Sequence, residues 1–170
     1  LSCRTIIYKG MLTTMQVPGY FKDLQEENFT SALAIVHSRF STNTFPEWKL
    51  AQPFRFIAHN GEINTVKGNS SWMQAQSALF SSKYFSQEEL DMILPVVTPG
   101  QSDSACLDNV IELLTLSGRS LPHVMMMLIP EAWDGNDLMD PVKKAFYEFH
   151  AAIMEAWDGP ASISFTNGKM

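Results

Sequence analysis

Cysteine is scarce in this sequence, and its scarcity excludes several kinds of site. Only Cys3 and Cys106 occur among the 170 residues. Two thiols allow at most one disulfide, and they are too few for an iron–sulfur cluster or for a zinc site made only of cysteines. A reducing compartment such as the cytoplasm is therefore the expected location.

Basic residues and long apolar runs are also few. Lysine and arginine number 12 against 18 acidic residues, which gives a net charge of -6. The longest basic run is the pair Lys143-Lys144. Such a chain does not favour nucleic acid or an anionic membrane as a partner. Polar residues also interrupt every apolar stretch before it reaches the roughly 20 residues that a membrane helix needs.

The sequence does contain two apolar runs that stop abruptly in polar clusters. The run ALAIV ends at His37-Ser38-Arg39, and the run FRFIA ends at His59-Asn60-Gly61-Glu62. Short runs of this kind predict buried strands, at about 32–40 and 54–60, that deliver their ends to a common rim. An arginine at one end and Asn-Gly at the other indicate a site for a small anionic or amide-bearing ligand.

The rest of the chain alternates between strand and helix patterns. A further strand is expected at 4–12, and another at Ala161–Phe165. Helices are expected from Thr65, over Gln87–Ile93 with a Ser86 and Glu89 capping box, over 104–117, after Ser120, and from Asp140 to about Trp157. The apolar faces are expected to be Trp72, Ala75, Leu79 and Phe80; Leu107, Val110, Ile111 and Leu114; and Val142, Ala145, Phe146, Phe149, Ile153 and Trp157. Strands, then helices, then strands predict an α+β protein.

The two ends of the sequence suggest a piece of a longer polypeptide. The chain opens on Leu1 rather than methionine, and Asn167-Gly168 is a hairpin turn signal that is followed by only two residues. We therefore expect a fold that is incomplete at both ends.

Each candidate polar residue also has a purely structural interpretation. Arg39 either grips a carboxylate with two parallel hydrogen bonds or forms an ordinary ion pair. Asn60-Gly61 is either a turn or a pair of donors for an oxyanion. Asp103 either caps the helix that follows it or holds a ligand ammonium group.

Metal and thiol chemistry are the less favoured alternatives. His37, His59, Glu62 and Asp103 carry metal-ligating groups, but no pair of histidines has the i, i+4 spacing of a helical metal site. The methionine run Met125–Met127 indicates a buried core helix. Cys106 lies one turn into a helix without an evident base, and we expect it to be inert.

Taken together, these segments resemble the glutaminase, or class II glutamine amidotransferase, domain of glutamate synthases. The stretches that carry the resemblance are SCRTIIYKGML, ALAIVHSRFSTNTFPEWKLAQPFRFIAHNGEINTVKGN, SDSACLDNVIELLTLSGRSLPHVMMMLIPEAW and AFYEFHAAIMEAWDGPASISFTNGK. They cover nearly the whole chain in the expected order. The resemblance implies that residues 1–170 are a partial domain with the four-layer αββα sandwich of N-terminal nucleophile hydrolases.

The resemblance also implies an activity for the parent enzyme. That enzyme would hydrolyse L-glutamine to glutamate and ammonia, and the ammonia would be channelled to 2-oxoglutarate for reductive glutamate synthesis. FMN and an iron–sulfur cluster would lie in other domains, with no cofactor or metal in this chain. The remaining synthase domains, and a small subunit or ferredoxin, would be its partners, in the cytoplasm or in a plastid.

Individual roles follow from the same resemblance. Arg39 would bind the glutamine α-carboxylate with help from Thr42, and Asp103 would hold the α-ammonium group. The Asn60 side chain and the Gly61 N–H would form the oxyanion hole.

The family nucleophile is an N-terminal cysteine, and this is where the chain departs from the pattern. Leu1 stands first, and Cys3 lies in a segment that matches a later part of the family pattern. We therefore expect the isolated chain to have little or no glutaminase activity. A non-catalytic glutamine-binding or scaffold module is the alternative.

Overall fold

The computed structural model describes residues 4–39 and 45–170. The chain forms two compact units, one from residues 1–60 and 162–170 and the other from residues 61–161. Among the described ranges, no helix is both long enough and apolar enough to cross a membrane.

The first unit contains short elements and most of a two-stranded sheet. Its helical segments are α1 (Val17–Tyr20) and two 3-10 turns, Lys22–Gln25 and Trp48–Leu50. Strands β1 (Ile57–Gly61) and β2 (Ala161–Phe165) pair with each other. The flanking hydrogen bonds join Thr166 to Phe56 and Glu62 to Pro160, so the numbering runs in opposite directions and the pair is antiparallel.

Two predicted strands are wrong over the residues that the structure describes. Segments 4–12 and 32–39 have no regular secondary structure, and several of their apolar side chains are exposed, with Ile6 at 69% and Val36 at 81%. A strand exists only where a neighbouring strand completes its hydrogen-bond ladder, so β-branched residues alone do not produce one. The strand predicted at Ala161–Phe165 is confirmed as β2, and the strand predicted at 54–60 is confirmed from Ile57 onward as β1.

The second unit is a helical assembly. Its elements are α2 (Val66–Ser77), α3 (Gln87–Asp91), α4 (Asp103–Leu116), α5 (Leu121–Leu128) and α6 (Pro141–Ala151). Helix α4 packs against α2 and α5, and α5 packs against α6. Six apolar side chains of α4 and α5 are fully buried and form the centre of this core: Leu107, Val110, Ile111, Leu121, Val124 and Leu128.

Helix starts agree with the sequence prediction. Ser86 and Glu89 form the expected capping box of α3. Asp140 accepts hydrogen bonds from the N–H groups of Val142 and Lys143 at the start of α6. These caps join residues two or three apart in sequence, so the sequence predicts them without knowledge of the packing.

The predicted apolar face of α6 is only partly correct. Trp157, beyond the helix, is buried as expected, but Val142 and Phe149 are 79% and 63% exposed. Tyr147 and His150 occupy the buried side instead. Helix α6 carries apolar residues on more than one face, and its contact with α5 decides which face is covered.

The predicted apolar face of α2 also differs from the face that is buried. Leu79 lies beyond the helix and is largely exposed, and Trp72 is 38% exposed. The residues that α2 buries are Asn69 and Met73. A polar residue on the buried face is invisible to an argument based on apolar spacing.

His150 lies in an aromatic environment within the second unit. Its ring meets the ring of His123 edge to face with centroids 4.9 Å apart, and it lies 4.4 Å from the ring of Phe146. Burial, followed by the charges of His123 and Arg119, lowers the pKa of His150 below its ordinary value. The fold therefore prefers the neutral ring.

We predict that the stability of the chain falls in acid because of this ring. As the pH falls below about 6.5, the unfolded state takes up a proton that folded His150 resists, so the free energy of unfolding decreases. His150→Phe should flatten this dependence between pH 7.5 and 5, measured by urea unfolding at each pH. An unchanged slope in His150→Phe would contradict the assignment.

Candidate functional site

Asn60 and Gly61 are the last two residues of β1, so they end a strand rather than form a turn. Asn60 is exposed. Gly61 has a φ of +122°, and a Cβ atom placed on it would lie 2.0 Å from the carbonyl oxygen of Pro160. Only glycine fits there, because a side chain would meet both an unfavourable backbone conformation and the neighbouring chain.

Gln52 fixes the strand just before Asn60. Its side-chain Oε1 accepts from the N–H of His59 at 2.6 Å, and its Nε2 donates to the His59 carbonyl at 2.9 Å. This pair of bonds imitates a neighbouring strand. The sequence argument did not identify Gln52, because a single glutamine in a proline-containing loop carries no local signal.

Asp103 is the first residue of α4, and both of its carboxylate oxygens are engaged. Oδ1 accepts from the N–H of Ser104 at 2.7 Å and from its hydroxyl at 3.1 Å. Oδ2 accepts from the N–H of Ile63 at 3.0 Å. The bond between Oδ2 and the N–H of Ile63 ties the start of α4 to the chain two residues after Gly61.

The helix cap that the sequence suggested for Asp103 is made by its neighbour, Ser102. Ser102 is the N-cap of α4, and its side chain accepts from the N–H of Ala105 at 3.2 Å. A carboxylate in the first turn still interacts favourably with the helix dipole. Because Ser102 makes the capping bond, the carboxylate of Asp103 is available to join the helix start to the segment after β1.

Arg39 belongs to the first unit. It is exposed, its N–H donates to Nδ1 of His37 at 3.2 Å, and it lines a cavity of about 930 Å³ within that unit. Thr42 lies outside the described residues. Gly61 and Asp103 share the second unit, whereas Arg39 does not, so the convergence of all the predicted residues on one ligand stays a prediction.

Cys106 is a free thiol, buried one turn into α4. Burial raises its pKa to about 11, with a smaller contribution from the negative charge of Asp103. A thiol with this pKa stays protonated at neutral pH, and the thiolate is the nucleophilic form. Cys106 is therefore a structural residue.

The metal alternative receives no support from the described part of the chain. Residues 4–39 and 45–170 contain no group of three or more His, Cys, Asp or Glu side chains placed to hold a metal ion.

Comparison with known families identifies the class of protein to which these features belong. The family described as "Glutamine amidotransferases class-II" matches residues 1–170, which is the whole chain. The chain belongs to this family.

Three individual relatives of this chain are named as glutamate synthases. The chain is 54% identical over 169 residues to the glutamate synthase (NADPH) large chain of Bacillus subtilis (strain 168). It is 52% identical over 170 residues to the glutamate synthase (NADH) of Saccharomyces cerevisiae. It is 46% identical over 172 residues to the ferredoxin-dependent glutamate synthase of Pyropia yezoensis.

These matches cover nearly all of this chain but little of the relatives. They include 99%, 99% and 100% of the chain, but only 11%, 8% and 11% of the three relatives. The chain therefore spans about a tenth of the length of the curated relatives it matches.

We predict that Gly61→Ala destabilises the chain more than a glycine substitution in open space. Left-handed backbone costs alanine about 1–2 kcal/mol, and at Gly61 the collision with the Pro160 carbonyl adds to that cost. Gly135→Ala is the matched control, because Gly135 also has a positive φ, +68°, but no atom within 4 Å of the added Cβ. Urea unfolding compares the two variants, and equal losses would refute the close approach at Gly61.

Proposed function

We propose that residues 1–170 form part of the glutaminase domain of a glutamate synthase. The parent enzyme hydrolyses L-glutamine to glutamate and ammonia, and the ammonia passes to 2-oxoglutarate for reductive glutamate synthesis. The family match over the whole chain and the names of the relatives support this proposal.

In this proposal, two oppositely charged side chains bind the two charged groups of the amino acid. Arg39 binds the α-carboxylate through two parallel hydrogen bonds, with Thr42 assisting in the adjacent loop. Asp103 binds the α-ammonium group. When both ends are held, the side-chain amide carbon is placed for attack rather than merely retained.

The Asn60 side chain and the Gly61 N–H serve as the oxyanion hole. A thiolate adds to the amide carbon, and the carbonyl electron pair moves to oxygen, where these two donors stabilise the developing charge. The α-amino group of the nucleophilic residue takes the thiol proton and returns a proton to the departing nitrogen, so the intermediate collapses to a thioester and ammonia. Water then hydrolyses the thioester, which releases glutamate and regenerates the thiol. The family resemblance assigns the nucleophile to an N-terminal cysteine of the full-length polypeptide. Cys106 does not suit this role, because it is buried and burial raises its pKa to about 11.

One observation carries the proposal furthest. The carboxylate of Asp103 accepts the N–H of Ile63 at 3.0 Å, so the proposed ammonium ligand is attached to the segment that continues from the proposed oxyanion donors. An exposed Asn60 and a glycine that excludes any side chain lie immediately before that segment.

Further features of the parent enzyme belong to the same proposal. The complete domain adopts the four-layer αββα sandwich, of which residues 1–170 are a part. FMN and an iron–sulfur cluster lie in other synthase domains, and a small subunit or ferredoxin supplies electrons. The enzyme acts in the cytoplasm, or in a plastid as the name of the chloroplastic relative from rice indicates for that protein.

A non-catalytic glutamine-binding module is the competing function. It would bind L-glutamine through Arg39 and Asp103 without releasing ammonia. Calorimetry with glutamine, run beside an ammonia assay on the full-length protein, separates the two functions.

We predict that Asn60→Ala in the full-length enzyme lowers kcat for glutamine hydrolysis by about 10²–10³-fold, because one oxyanion donor is lost. KM should change little, since Asn60 acts on the transition state rather than on bound glutamine. Ammonia release at saturating glutamine measures this change. An Asn60→Ala enzyme with normal kcat would remove Asn60 from the mechanism.

We predict that Asp103→Asn raises KM for glutamine by more than about 10-fold, because the amide has no charge to pair with the substrate ammonium. Ser102→Ala is the matched control: it removes the helix cap, at about 0.5–2 kcal/mol of stability, but keeps the carboxylate. Steady-state kinetics should show a raised KM only in Asp103→Asn. An equal KM effect in both variants would show that Asp103 acts only through the helix start.

A further inference from the structure

A buried amide side chain lies in the first turn of α2. Asn69 is 1% exposed. Its Nδ2 donates to the carbonyl oxygens of Glu155 at 3.2 Å and Ala156 at 2.9 Å, and its Oδ1 accepts from the hydroxyl of Thr65 at 2.7 Å. The amide is thus oriented by its partners, because a carbonyl oxygen can only accept a hydrogen bond.

Thr65, one turn earlier, holds the same segment. Its hydroxyl accepts from the N–H of Asp158 at 3.0 Å and lies 3.1 Å from the Ala156 carbonyl oxygen. Two side chains of one helix start therefore fix residues 155–158. Leaving the buried Asn69 amide unsatisfied costs about 1–3 kcal/mol, so residues 155–156 have little freedom to move away from it.

The segment held by Asn69 and Thr65 continues into the chain that lies beside Gly61. The carbonyl of Asp158 accepts from the N–H of Asn64 at 2.7 Å, and the carbonyl of Pro160 accepts from the N–H of Glu62 at 3.3 Å. A Cβ atom on Gly61 would lie 2.0 Å from that Pro160 oxygen. The backbone of Gly61 therefore rests against a segment whose position is set from α2.

We propose that Asn69 is a positioning residue for the oxyanion hole. It acts through residues 155–160, which determine where the Gly61 N–H points. This inference rests on the proposed function, since it assumes that Gly61 is an oxyanion donor. A displacement of about 1 Å in such a group can cost on the order of 100-fold in rate, so a buried amide that never touches glutamine is able to control turnover.

The decisive variant is Asn69→Asp in the full-length enzyme. Aspartate keeps the shape of asparagine but presents only acceptors to the two carbonyl oxygens, which repel it. We expect kcat for glutamine hydrolysis, per titrated active site, to fall about 10–100-fold while KM stays within about twofold. Thr65→Val, which removes only the hydroxyl, is the milder second variant and should lower kcat in the same direction, with Thr65→Ser restoring it.

Val124→Ala is the stability control. Val124 is fully buried in α5, so its truncation destabilises the same unit while leaving in place the side-chain hydrogen bonds that hold residues 155–158. Its kcat per titrated site should equal that of the wild type. If Asn69 had only a structural role, Asn69→Asp would give the same result as Val124→Ala: fewer titratable active sites, but an unchanged kcat per site.

Parallel measurement of Asn60→Ala separates the two proposals. If Asn60→Ala keeps normal kcat, the proposed function fails. If Asn60→Ala loses kcat but Asn69→Asp and Thr65→Val retain it, only the positioning role is overturned. If the Asn60 and Asn69 variants both lose kcat at nearly constant KM, with Val124→Ala unaffected, the positioning role is supported.

Discussion

The hydrogen bond from the N–H of Ile63 to the carboxylate of Asp103 is the contact on which the arrangement of the candidate site in the second unit depends. It joins two segments that are forty residues apart in the chain. A backbone N–H is a strong donor whose burial without a partner is costly, and a charged acceptor makes the stronger kind of hydrogen bond. The contact therefore holds the first turn of α4 beside the segment that leaves β1, whatever ligand is bound.

A second set of contacts supports the same segment from the other side. Asn69 and Thr65 hold residues 155–158, and Asp158 and Pro160 accept hydrogen bonds from Asn64 and Glu62. These are mostly bonds between side chains and backbone, so they direct the course of the chain rather than add apolar packing. The conformation around Gly61 is thus determined by polar groups of one helix and one loop.

Local signals in the sequence predicted part of this arrangement. The capping box at Ser86, the helix start at Asp140 and the apolar stripe of α4 are all confirmed, because each depends on residues within a few positions of one another. The exposed Val142 of α6 and the absence of strands over 4–12 and 32–39 were not predicted. In both cases the outcome depends on a neighbouring segment, which a periodic pattern does not contain.

For the site, the sequence by itself predicted the candidate residue types. Through a family resemblance it also predicted their chemistry: an arginine and an aspartate to bind an amino acid, and Asn-Gly to stabilise an oxyanion. Only the tertiary structure decided that Asp103 binds Ile63 and that Asn69 is buried against residues 155–156. The physical reason is that caps, turns and stripes are written in local spacing. Contacts between distant segments are selected by the burial of apolar side chains and by the need of every buried polar group for a partner.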